Sequence, residues 1–66
     1  MRVRINGEWQ ELGDAQSVAG LLEDRSLQPR RVAVELNGRI VPRARYAETL
    51  LAENDALEIV TLVGGG

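Results

Sequence analysis

A mixed β-sheet of four or five strands packed on a single helix, an α+β fold, is what this sequence predicts. Apolar and polar residues alternate at residues 1–5 and again at 57–62, which is typical of half-buried strands. Between them, Val18, Leu21 and Leu22 form a short apolar stripe at helical spacing. The chain has 66 residues, so these elements belong to one small domain with a modest core.

The first two strands are predicted to form a β-hairpin. Asn6-Gly7 is the dipeptide that two-residue type I′ turns favour most, and a turn of that length fixes the register of the strands. The predicted pairs are Arg2–Glu11, Val3–Gln10, Arg4–Trp9 and Ile5–Glu8. Trp9 then either lies on the open face of the sheet beside Arg4, or curls over the sheet edge and packs there.

The helix is predicted over residues 17–26. Ser17 is placed to accept a hydrogen bond from the first turn, as N-cap residues do. Gly20 lies inside the helix, where glycine costs up to about 1 kcal/mol relative to alanine. Its presence suggests that the helix and the sheet approach each other closely at this point.

The second half of the chain supplies the remaining strands. Val32, Val34 and Leu36 alternate with polar or small residues and end at a second turn dipeptide, Asn37-Gly38. Leu50 and Leu51 are expected to supply further apolar side chains to the core, and Asn54 is expected to take a positive φ in a polar turn. The last strand, from about 56 to 62, is expected to lie beside the first strand and parallel to it.

The last strand should present different residues to the two faces of the sheet. Leu57 and Ile59 point toward the helix, whereas Val60 and Leu62 point to the face that no second helix covers. Clustered apolar side chains on an uncovered face indicate a docking surface. The predicted partner-binding residues are Trp9, Val60, Leu62 and Val63.

The chain ends in Gly64, Gly65 and Gly66, and we expect residues 1–62 to form the domain and 63–66 a flexible tail. Glycine lacks a Cβ, so three in a row form a strip of backbone that fits a narrow channel. A free α-carboxyl on Gly66 is ionised at neutral pH and can act as a nucleophile. The tail is therefore the predicted reactive part, and Gly66 carries the reacting group.

Composition excludes several function classes. There is no Cys and no His, so thiol and imidazole catalysis, metal sites built on those ligands, and disulfides are excluded. The net charge of −2 and only two aromatic residues disfavour nucleic-acid binding. No apolar run has the roughly 20 residues that span a membrane, and no signal-peptide pattern opens the chain, so a cytoplasmic location and no membrane association are expected.

The order of these elements, together with a terminal glycine pair, resembles the ubiquitin-like β-grasp sulfur carriers of the ThiS/MoaD family, and among them the ThiS group of thiamine biosynthesis. The resemblance covers nearly the whole chain. Its most specific stretches are VAVELNG at 32–38, IVPR at 40–43, YAET at 46–49, and LEIV at 57–60 running to VGGG at 63–66.

The resemblance implies a protein co-substrate, not an enzyme, that binds no cofactor or metal itself and is a monomer when free. A ThiF-type adenylating enzyme would use ATP–Mg to activate the Gly66 carboxylate. A sulfur donor, commonly a cysteine desulfurase, would convert it to a thiocarboxylate. Thiazole synthase (ThiG) would then accept the sulfur.

Three alternatives remain open on the sequence. A small subunit of molybdopterin synthase would use the same tail chemistry with a different acceptor. A ubiquitin-like modifier would join its tail to lysines of target proteins. A plain β-grasp interaction module would need no reactive terminus, which the glycine triplet argues against. A neighbouring gene for thiazole synthase or for molybdopterin synthase would separate the first alternative from the thiamine carrier.

Overall fold

The computed structural model describes residues 1–62, and this part of the chain contains five strands and one α-helix. The elements are β1 (Arg2–Ile5), β2 (Glu8–Glu11), α1 (Val18–Asp24), β3 (Val32–Leu36), β4 (Arg39–Ile40) and β5 (Ala56–Thr61). Two short 3₁₀ turns lie at Pro29–Arg31 and Arg43–Arg45. The α+β fold predicted from the sequence, a mixed sheet on one helix, is confirmed.

The five strands form a single sheet in the order β2-β1-β5-β3-β4. β1 and β5 are parallel, and the other neighbours are antiparallel. The expectation that the first and last strands are adjacent and parallel is therefore confirmed. β5 lies at the centre of the sheet. The C-terminal residues of the chain therefore follow a strand that has a neighbouring strand on each side.

The two Asn-Gly dipeptides form the turns that the sequence predicts. Asn6 has a φ of 51° and Gly7 of 85°, and Asn37 and Gly38 have 52° and 85°. Positive φ at both central residues defines the type I′ turn, whose twist matches that of the flanking strands. In the first hairpin all four predicted residue pairs are observed.

Three N–H groups at the start of α1, where the helix itself supplies no acceptor, have partners elsewhere. The Ser17 Oγ accepts a hydrogen bond from the Gly20 N–H at 3.0 Å, which confirms Ser17 as the N-cap. The Val18 N–H donates to the Thr49 carbonyl at 2.9 Å, and the Ala19 N–H to the Tyr46 carbonyl at 3.0 Å. The loop before β5 thus docks on the helix through backbone groups that a helix start leaves unpaired.

α1 ends two residues before the predicted limit because the backbone reverses at Ser26, which has a φ of 59°. The Leu27 N–H donates to the Leu22 carbonyl at 2.9 Å, and the Ser26 N–H to the Glu23 carbonyl at 3.0 Å. This pair of bonds is the Schellman motif, which closes a helix with one left-handed residue. It also turns Leu27 back onto the core, where its side chain is partly buried.

Two expectations about packing are wrong. A Cβ added at Gly20 would meet the side chains of Gln16 and Ser17 at 3.4 Å, so the glycine faces its own helix start and no close contact with the sheet. Leu51 is buried as expected, but Leu50 is 64% exposed. The backbone is extended where Leu50 bridges to Ser17, so the side chains of Leu50 and Leu51 point to opposite sides and only Leu51 reaches the core.

The core lies between α1 and one face of the sheet. Its buried side chains are Val3, Ile5, Val18, Leu21, Leu22, Val32, Val34, Val41, Tyr46, Leu51 and Leu57. Among residues 1–62 no helix is long and apolar enough to cross a membrane.

Candidate functional site

The face of the sheet opposite α1 is not covered by any element within residues 1–62, and it carries large apolar side chains in the open. Alternation along the strands puts Trp9, Ile40, Val60 and Leu62 on this face. Their exposed fractions are 47%, 76%, 57% and 47% respectively. The predicted partner-binding residues Trp9, Val60 and Leu62 therefore lie on the same uncovered face.

The open face divides into two patches. Trp9 is opposite Arg4, which is opposite Ala56, whereas Val60 is four residues further along β5. At about 3.3 Å per residue and about 4.8 Å per strand, Trp9 and Val60 are separated by about 13 Å along the strands and about 10 Å across them. Val60 and Leu62 form the apolar patch together with Ala33, which is paired with Val60.

The second patch is built on Trp9. The Arg2 Cζ lies 4.3 Å from the centroid of the Trp9 ring, and the Arg4 Cζ lies 5.7 Å from it. Of the two placements considered for Trp9, the one on the open face beside Arg4 is the one observed. An exposed cation–π contact stabilises by only about 0.5–1 kcal/mol, so the indole remains available to a partner.

Two carboxylates also lie on the open face, next to the apolar patch. Glu35 and Glu58 are directly opposite each other on β3 and β5, and Ile40 is opposite Glu35 on the other side. Like charges at such a position destabilise a sheet. This pair could have been predicted only from the register of the strands, because Glu35 and Glu58 become neighbours only once β3 is paired with β5.

Both turn asparagines fix β5 in place. The Asn6 Nδ2 donates to the Ile59 carbonyl at 3.1 Å, and the Ile59 N–H donates to the Asn6 Oδ1 at 2.7 Å. On the other side, the Ala56 N–H donates to the Asn37 Oδ1 at 2.9 Å. Each asparagine side chain completes a ladder where its own strand has turned away, so β5 is held along both edges as far as Ile59.

The predicted reactive tail begins just after this strand. The Leu62 N–H donates to the Arg31 carbonyl at 2.7 Å, which is the final backbone bond of the described residues. Val63, Gly64, Gly65 and Gly66 lie outside the described residues. Their roles as partner contact, tail and reacting terminus stay predictions.

A five-stranded mixed sheet on one helix, with an open face that carries exposed apolar side chains, defines a small β-grasp domain. The model of the ThiS family matches residues 3–66, and the chain belongs to the ThiS family. The crystal structure of a thiamine biosynthesis protein (ThiS) from Geobacter metallireducens agrees with the fold at a TM-score of 0.85 and 30% identity, with both chains covered in full.

Two kinds of curated relative are similar to the chain. The sulfur carrier protein ThiS of Bacillus subtilis is 36% identical over 67 residues, which cover 97% of this chain and 98% of that protein. A thiazole synthase of Paramagnetospirillum magneticum is 41% identical over 66 residues, which are all of this chain but 20% of that protein. The chain thus spans about a fifth of the length of the thiazole synthases it matches.

Proposed function

We propose that this chain is a sulfur carrier of thiamine biosynthesis, a protein co-substrate and not an enzyme. The observation that carries the proposal is the ThiS family match over residues 3–66, because the matched stretch includes the terminal glycines. The names of the relatives support it, since one is a sulfur carrier protein and others are thiazole synthases. The thiazole synthases also favour the thiamine pathway over the molybdopterin alternative.

The proposed reaction sequence uses the Gly66 carboxylate. A ThiF-type adenylating enzyme binds ATP–Mg, and a carboxylate oxygen attacks the α-phosphate with release of pyrophosphate. The outer sulfur of a cysteine desulfurase persulfide then attacks the acyl carbon and displaces AMP, which gives an acyl disulfide. A cysteine thiol of the partner enzymes reduces the S–S bond, so that the thiocarboxylate is released and the thiol ends in a disulfide with the former persulfide cysteine. Thiazole synthase accepts that sulfur. Adenylation is needed because a carboxylate oxygen is a poor leaving group, whereas the thiocarboxylate sulfur is a strong nucleophile.

The domain supports this chemistry by placing the tail on a rigid strand. β5 is held by strands on both edges, by the two asparagine side chains, and by the bond from Leu62 to Arg31. Four residues at about 3.3–3.6 Å each reach at most about 14 Å beyond Leu62. That length carries a terminal carboxylate from a docked domain into a recessed nucleotide site.

The test is ATP–pyrophosphate exchange with the purified adenylating enzyme, followed by intact mass after a sulfur donor is added. The expected result is exchange that depends on this chain, then a mass change equal to one oxygen replaced by sulfur. Transfer of that sulfur to thiazole synthase, and not to molybdopterin synthase, places the carrier in the thiamine pathway. Absence of both exchange and mass change for the wild-type chain contradicts the proposal.

Gly65→Val tests the tail separately from the domain. A side chain at position 65 narrows the accessible φ/ψ range and meets the wall of a channel, so exchange is expected to be lost. The free energy of unfolding is expected to stay at the wild-type value, since terminal residues contribute few contacts. Removal of Gly66 is the companion variant: severe loss indicates that reach matters, and retained exchange indicates that any terminal glycine suffices.

A further inference from the structure

β5 is paired on both edges over most of its length but on only one edge near its end. Asp55, which immediately precedes β5, and the odd-numbered residues of β5 direct their backbone groups toward β1. The Arg4 N–H donates to the Asp55 carbonyl at 2.8 Å, and the Asn6 N–H to the Leu57 carbonyl at 2.9 Å. At Ile59 the Asn6 side chain takes over both bonds. Beyond that point the hairpin has turned away from β5.

Thr61 is the next residue that faces the β1 side. It is opposite Val32 on β3, and the alternation of the ladder directs its N–H and carbonyl away from β3. Its successor Leu62 faces β3, as its bond to Arg31 shows. Within residues 1–62 no group hydrogen-bonds to the Thr61 N–H or carbonyl, and the residue is exposed. Thr61 therefore presents a free strand edge one residue before the last described position.

The other free edges of the sheet are protected, and this one is not. β4 has two residues and is followed by Pro42, which cannot donate to a ladder. β2 carries Glu8 and Glu11, and charged edge residues oppose pairing with another chain. Around Thr61, by contrast, the neighbours Val60 and Leu62 are apolar and exposed.

We propose that the Thr61 backbone is the first rung of an added strand: an extended segment of the adenylating enzyme pairs with it as the tail enters that enzyme. The proposal rests on the proposed function. Strand addition uses main-chain hydrogen bonds for affinity and pockets for alternate side chains for selectivity. Val60 and Leu62 supply those side chains on the open face, on either side of the free N–H and carbonyl of Thr61.

Amide hydrogen exchange of the full chain, free and saturated with the adenylating enzyme, tests the pairing directly. In the free protein the Val60 N–H, which faces β3, is expected to exchange slowly and the Thr61 N–H quickly. On binding, the Thr61 N–H is expected to slow by about tenfold or more, as one added hydrogen bond predicts. A Thr61 amide that still exchanges quickly in the saturated complex overturns the proposal.

A pair of variants separates the backbone from the side chain. Thr61→Pro removes the N–H, and Thr61→Ala removes the side chain but keeps the N–H. The affinity for the adenylating enzyme is expected to fall about tenfold in Thr61→Pro and to stay near wild type in Thr61→Ala, given one hydrogen bond lost. Equal affinities of the two variants overturn the proposal.

Two controls separate the loss of strand pairing from unfolding and from failure of the sulfur-carrier function. Thermal unfolding of each variant checks the fold, and if Thr61→Pro unfolds, the amide exchange of the wild-type complex decides. Wild-type exchange of ATP and pyrophosphate without protection of Thr61 overturns the strand pairing alone. Absence of both a complex and the exchange reaction overturns the strand pairing and the sulfur-carrier function together.

Discussion

The two faces of β5 differ in what their side chains do. Leu57 is 1% exposed and Ile59 packs at the border of the core, whereas Val60 on the opposite face is 57% exposed and Glu58 is exposed beside it. Residues next to each other in sequence thus have different surroundings, because successive side chains of a strand point to opposite faces of the sheet. One face holds the domain together, and the other carries apolar side chains that stay exposed within residues 1–62.

The largest expected effect is on the buried face. Leu57→Ala removes a fully buried side chain between the sheet and α1, and it should lower the free energy of unfolding by about 2–5 kcal/mol. Val60→Ala is the matched control on the same strand, expected within about 0.5 kcal/mol of wild type. Urea denaturation measures both, and similar losses in the two variants would break the distinction between the faces.

The next effect is on binding. Val60→Asp places a charge in a contact that excludes water, and it should weaken binding to the adenylating enzyme by about 1–3 kcal/mol while leaving the fold intact. Isothermal titration measures the affinity, and circular dichroism checks the fold. A Val60→Asp chain that unfolds contradicts the assignment of Val60 to the open face.

Trp9→Ala, measured by the same titration, tests whether both patches of the open face contact the adenylating enzyme. Because Trp9 and Val60 are about 16 Å apart by strand geometry, losses in binding should add in the double variant. A double variant no weaker than Val60→Asp shows that only the apolar patch contacts the partner.

A smaller effect is expected from bonds that lie in the plane of the sheet. Asn6→Ala removes both side-chain bonds to Ile59 and forces alanine into a positive φ, with an expected cost of about 1–2 kcal/mol in stability. Asn6→Gly removes the same bonds but accepts the φ, so it should cost less. The unfolding free energies of the two variants separate the loss of the hydrogen bonds from the cost of the positive φ. An unchanged Ile59 amide exchange rate in both variants shows that the Asn6 bonds do not hold β5.

The smallest effect is expected on the outer side of the helix. A Cβ at Gly20 reaches only ordinary contact distance from Gln16 and Ser17, so Gly20→Ala should stabilise the protein by up to about 1 kcal/mol. The shift in melting temperature measures the gain. A loss instead means that the added methyl group disturbs the Ser17 cap, which an accompanying Ser17→Ala variant identifies by comparison.

Local rules account for the features predicted correctly. Asn6-Gly7 fixed the hairpin register because a two-residue turn leaves no freedom to shift, and alternation assigned Leu57 and Val60 to opposite faces. The same rules placed Ser17 as the N-cap but missed the end of α1, because a serine at positive φ gives no signal of the kind that glycine gives.

The candidate site was predictable only in part. Alternation and the lack of a second predicted helix indicated an open apolar face, and Trp9 and Val60 were correctly placed on it. Their separation into two patches, the Glu35–Glu58 pair and the free edge at Thr61 depend on strand order and register. Those properties are set by pairing between distant segments, which no local pattern encodes.

The sequence by itself determined the elements, their buried faces and both Asn-Gly turns, because each follows from residues close together in the chain. Only the tertiary structure decided that Asn6 ends the pairing of β5 at Ile59, a contact between residues 53 positions apart. It likewise decided that the loop before β5 completes the start of α1. Such contacts form because buried or strand-facing polar groups must find partners, and which partner is near depends on the whole fold.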